Sequence, residues 1–125
     1  MSFVWAEYLN VAGHLMETSV NSDHEEAYLR SATSRAYYAA LNTARSLLTD
    51  QWGIEMPQTA EIHSFIPRWF LSEEDEDQKE IGIILGRLRD RRRKADYDDA
   101  ISKAASLAKG SLADAELLIQ RLSRL

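Results

Sequence analysis

Apolar residues recur at intervals of three and four along almost the whole chain, with few glycines or prolines to interrupt them. Val4, Trp5, Tyr8, Leu9, Ala12, Leu15 and Met16 form one stripe, which predicts a first helix ending near Asn21. Ser22-Asp23-His24-Glu25 then has the spacing of a capping box, in which Ser22 accepts from the backbone and Glu25 reaches back. A long second helix is expected from about His24 to Asp50. It carries Tyr28, Ala32, Arg35 and Ala39 on one side and Tyr37, Ala40, Leu41, Ala44 and Leu48 on another. Two apolar faces predict a central helix with neighbours on both sides.

Gln51 to Gln58, with Gly53 and Pro57, reads as a loop. Ile62, Phe65, Ile66, Trp69 and Phe70 predict a short third helix, with a kink or two separate turns at Pro67. Ser72 and the acids after it are expected to cap a fourth helix, whose Ile81, Ile84, Leu85 and Leu88 face inward and which ends near Ala95. A last helix is expected from about Ser102 to Ser123, with Gly110 weakening it from within. The pattern therefore predicts an all-α, up-and-down bundle of four long helices and one short helix, in a single domain of residues 1–125.

Composition adds bounds. The 125 residues are 45% hydrophobic, enough for a core, and contain no cysteine, which excludes disulfide and thiolate chemistry. The opening Met-Ser-Phe-Val-Trp-Ala-Glu lacks the basic-then-apolar order of a signal peptide, and no apolar run is long enough to span a membrane. A soluble, cytoplasmic protein without membrane contact is the expectation. The net charge of −5 argues against general coating of nucleic acid.

That net charge conceals two opposed blocks. Glu73 to Glu80 holds six acids and Lys79, a net −5, whereas Arg87 to Lys94 holds six bases and Asp90, a net +5. The helix dipole favours this order, acids at the start and bases at the end. It does not account for Arg92, because extending the inward stripe by helical steps arrives at Arg92 and then Ala95. A guanidinium on a buried face needs a partner. Asp96 lies four residues on, and Arg35, on a packed face of the second helix, needs a carboxylate as well. Two readings follow: a core Arg35/Arg92/Asp96 ion-pair cluster, or a desolvated basic pocket for phosphate.

Ser34-Arg35-Ala36-Tyr37-Tyr38-Ala39 resembles the Ser-Arg-x-Tyr-Tyr-Ala segment of small prokaryotic HEPN domain proteins. Arg92-Arg93-Lys94-Ala95-Asp96-Tyr97 resembles their Arg-x-x-Ala-Asp-Tyr ending, and Ile62-His63-Ser64 sits where a His-Ser pair is common. The resemblance implies a four- or five-helix bundle, usually a homodimer. Many such proteins are metal-independent ribonucleases with an Arg-x4–6-His motif, and others pair with a minimal nucleotidyltransferase in toxin–antitoxin modules. On that resemblance Arg92 and Tyr97 are the candidate catalytic pair, and Arg35, Arg91, Arg92 and Asp96 the candidate phosphate-binding set.

The chain departs from the motif where it matters. His14, His24 and His63 all precede the arginine run, so Tyr97 stands in the histidine's place. A phenol, with an ordinary pKa of about 10, handles protons at neutral pH less well than an imidazole near 6.5. Five helical steps also set Arg92 and Tyr97 about 140° apart, so sharing one site requires the helix to end between them or a dimer to join them. His63, set among Ile62 and Phe65, reads as a packing residue. No metal-ligand spacing, glycine-rich phosphate loop or nucleophile motif is present, so no cofactor or metal is expected. The expected role is an RNA-associated or toxin-like component, homodimeric and partnered by a nucleotidyltransferase. The alternatives are a non-catalytic interaction module and a ribonuclease with an atypical motif using Tyr97 or His63.

Overall fold

A computed structural model describes residues 2–125. Five α-helices follow one another: α1 (Glu7–Ser19), α2 (Glu25–Ser46), α3 (Ile62–Leu71), α4 (Glu76–Tyr97) and α5 (Ala104–Leu122). A π-helical turn, Leu47–Gln51, extends α2, and no strand occurs among the described residues. The expected all-α bundle with one short helix is what forms.

The alanines of α2 explain its central place. Ala32, Ala36, Ala40 and Ala44 are fully buried at four-residue intervals, a low ridge that admits close neighbours. Against α2 pack α1, α5 and α4, while α3 lies mainly on α4. Tyr37, Leu41 and Leu48 of the α2 arm meet Ile66 and Phe70 of α3, Ile81, Ile84, Leu85 and Leu88 of α4, and Leu118 of α5 in one core. Trp52 and Trp69, distant in sequence, lie 5.4 Å apart between ring centroids and pack against that core. Among the described residues no helix is long and apolar enough to cross a membrane.

Several ends differ from the sequence expectation. The Ser22 capping box does not form: Asn21 adopts φ 61°, a left-handed conformation that asparagine tolerates, and Ser22 Oγ accepts from the His24 N–H instead. The α2 helix starts without a side-chain cap. Ser72 closes α3 rather than opening α4, whose cap is Asp75, accepting from the Gln78 N–H at 3.1 Å. Nor does Pro67 split α3, which runs through it as a single helix. Here α3 and α4 approach closely: a Cβ added to Gly82 would stand 2.9 Å from the Pro67 carbonyl oxygen and 2.7 Å from Leu71 Cγ. After the π-helical turn, Gly53 at φ 63° lets the Ile54 N–H return to the Leu48 carbonyl at 2.9 Å, which fixes the start of the loop.

Candidate functional site

Arg92 sits where its stripe on α4 predicts, with a side chain 15% exposed. Its Nε donates to Asp96 Oδ2 at 2.9 Å, one helical turn on, and the same oxygen accepts from Ser34 Oγ of α2 at 3.3 Å. Around the guanidinium stand three phenol rings: Tyr38 at 5.4 Å, Tyr97 at 5.5 Å and Tyr37 at 5.7 Å from centroid to Cζ. Burial works against the cation, but Tyr38, Asp96 and Tyr97 more than offset it and hold its pKa above the usual value.

Arg92 and Tyr97 thus meet within one chain, although α4 does not end between them. The wheel angle describes where side chains leave the helix; the long arginine stem and the terminal position of Tyr97 bring the two heads together. Tyr97 is 71% exposed, so the ring beside this cation faces solvent.

His63, expected to be a packing residue, has a more specific place. Its Nδ1 lies 2.6 Å from the Tyr37 hydroxyl, and the two rings stack with centroids 5.7 Å apart. Burial pushes the fully buried Tyr37 phenol well above its usual range, so it keeps its proton. Burial, then the charges of Arg92 and Arg89, hold the His63 imidazole below its usual range. Both groups are therefore neutral, and which of them donates follows the imidazole tautomer. A buried tyrosine needs a hydrogen-bond partner, and that was the signal in the sequence that His63 could supply one.

Arg35 does not join the ion-pair cluster. Its guanidinium lies over Tyr8 of α1 at 4.9 Å and Tyr38 at 5.4 Å, and it makes no ion pair among the described residues. Arg91 leaves the cluster altogether: it donates to Asp114 of α5 at 2.7 Å, and Arg87 shares that carboxylate. Adjacent helical residues diverge by about 100°, which separates Arg91 from Arg92.

One contributor has no precursor in the sequence reading. Arg30 of α2 donates to the carbonyls of Ala95 at 3.1 Å and Asp98 at 2.6 Å, and pairs with Glu26. It thereby caps the end of α4 on which Asp96 and Tyr97 stand. Beside it, Arg30, Ser31, Ser34, Arg35 and Asp96 line an open depression of about 360 Å³. Among the described residues no three His, Asp or Glu side chains converge as a metal site would require.

The site thus joins three segments far apart in the chain: Ser34 to Tyr38, His63, and Arg92 to Tyr97. No curated protein and no solved structure matches the chain. The model of the HEPN domain family matches residues 6–125, nearly its full length. The chain belongs to the HEPN domain family.

Proposed function

We propose that the chain is the RNA-associated, toxin-like component of a two-gene HEPN/nucleotidyltransferase toxin–antitoxin module, acting as a homodimer. The observation that carries this reading is the Arg92 guanidinium, held by Asp96 and framed by three tyrosines, with Tyr97 exposed beside it. A preorganised guanidinium suits a phosphate, and an exposed phenol ring suits an unpaired base. His63 lies in the same cluster, but its Nδ1 is engaged by Tyr37, and it precedes the arginine run rather than following it as the usual motif requires. Binding of RNA is therefore favoured over the usual histidine-dependent cleavage.

A second reading, a non-catalytic interaction module, draws on Asp96, which already satisfies Arg92 within the chain. Arg92→Gln separates the two. On the first reading it abolishes RNA binding and growth inhibition while the unfolding midpoint changes little, and Arg91→Gln leaves binding intact. On the second, wild-type protein binds no RNA, and Arg92→Gln costs only stability, about 1 kcal/mol for a part-exposed i,i+4 pair and its contacts with the three rings. Relief of growth inhibition by a co-expressed neighbouring nucleotidyltransferase tests the partner.

A further inference from the structure

Arg35 and Arg92 share a ring. Each guanidinium carbon lies 5.4 Å from the Tyr38 centroid, so the two cations stand at most twice that distance apart. Their charges are balanced differently. Arg92 has Asp96 as counter-ion, whereas Arg35 has only the faces of Tyr8 and Tyr38. Among the described residues none of the Arg35 N–H groups makes a hydrogen bond, so a planar, rigidly flanked fork of donors is unfilled.

That fork borders the depression of about 360 Å³ between α2 and the end of α4. Ser31, one turn before Arg35 on the same helix, brings a hydroxyl to the same depression. Asp96, the acid that lines it, is already bonded to Arg92 and Ser34, so its charge is largely matched. Arg30 covers the carbonyls at the end of α4, which removes the negative helix end that would otherwise repel an anion. With Arg30 paired to Glu26 and Asp96 to Arg92, the unmatched charge at the depression is that of Arg35, and the depression is roomy and open.

We infer that this depression holds a second phosphate of the strand whose first phosphate meets Arg92, with Arg35 as its cation and Ser31 as an added donor. The inference rests on the reading that the Arg92 site engages RNA, and it narrows the ligand to a strand carrying at least two phosphates. The strand crosses from the α4 end over α2, with Tyr38 as the floor between the two subsites.

The test is binding of a short single-stranded RNA to the full chain, followed by fluorescence anisotropy across a salt series. Arg35→Gln is expected to weaken binding about tenfold, the loss of a charge-assisted hydrogen bond. It should also flatten the plot of log affinity against log salt by about 0.7, the share of one phosphate contact in single strands. Arg35→Lys is expected to keep the salt slope. Wild-type protein should bind a nucleoside 3′,5′-bisphosphate about tenfold tighter than a nucleoside 5′-monophosphate, a comparison that needs no folded variant. Unchanged affinity and slope in Arg35→Gln, with binding lost in Arg92→Gln, overturns the second subsite and leaves the Arg92 reading standing. No gain from the second phosphate, or equal competition by poly-glutamate, also overturns it. Absence of RNA binding by wild-type protein overturns both.

Discussion

The Tyr37 hydroxyl lies 2.6 Å from His63 Nδ1, so a fully buried phenol is hydrogen-bonded to a half-buried imidazole on another helix. Tyr37 and Tyr38 face that imidazole from α2, and Arg89 and Arg92 influence it from α4. Protonating His63 would make Nδ1 a donor and add a cation beside two others.

Stability should therefore carry a His63 signature. The folded state holds the imidazole below its ordinary value of 6.5, by burial first and by Arg92 and Arg89 next. Between that lowered value and 6.5 the unfolded chain binds more protons, so stability rises with pH across the window. His63 thus contributes stability that is present above 6.5 and lost as pH falls through the folded-state value. Urea unfolding of wild type and His63→Gln at pH 5.5 and 7.5 checks this: the variant should lose part of the wild-type pH dependence. Equal dependence in the two proteins contradicts it.

Arg30→Met should destabilise the fold by about 2 kcal/mol, because it removes charge-assisted bonds to carbonyls at the end of α4. Hydrogen exchange at Tyr97 to Asp99 should speed up more than at the core of α2. A loss confined to the Glu26 pair would be no more than about 0.5 kcal/mol, which urea titration resolves.

Two glycines should respond in opposite directions to alanine. At Gly13, inside α1, nothing lies within 4 Å of an added Cβ, so Gly13→Ala should stabilise by about 0.8 kcal/mol through helix propensity. At Gly82 the added atom meets the Pro67 carbonyl at 2.9 Å. Leu71, 44% exposed, can swing aside, but that backbone oxygen cannot. A net loss of about 2 kcal/mol is expected for Gly82→Ala, and thermal melts of the two variants decide.

Ser111 of α5 is fully buried, and its Oγ has no hydrogen-bond partner among the described residues. Ser111→Ala removes an unsatisfied oxygen and improves helix propensity, so it should stabilise by about 1 kcal/mol. A destabilised variant would mean that the hydroxyl finds a partner in solution.

The helices and the burial of Arg92 were legible because hydrophobic period reports which way a residue leaves its helix. Ile81, Ile84, Leu85 and Leu88 define a stripe, and Arg92 lies on its extension. Period is silent on what a side chain meets. Arg35 has aromatic rings from α1 and α2 as its neighbours, not the carboxylate its position suggests. Arg91 lies off that stripe, but period does not name its partner; the packing of α5 against α4 brings it to Asp114. Caps were hard to place for another reason. Ser72 and Asp75 both suit the start of α4, and the extended backbone at Asp75, φ −68° and ψ 128°, is what selects it.

The grip of Arg30 on the carbonyls of Ala95 and Asp98 also divides the chain into segments that differ in tolerance to changes of length. Ahead of that anchor, one residue added or removed between Arg92 and Asp98 would rotate Asp96 and Tyr97 off the guanidinium and misalign the carbonyls. Beyond it, residues 100–103 complete the 98–103 connection to α5 without a regular element, and longer loops there cost little closure entropy. Insertions and deletions compatible with the site should therefore accumulate after Asp99 and stop abruptly before it.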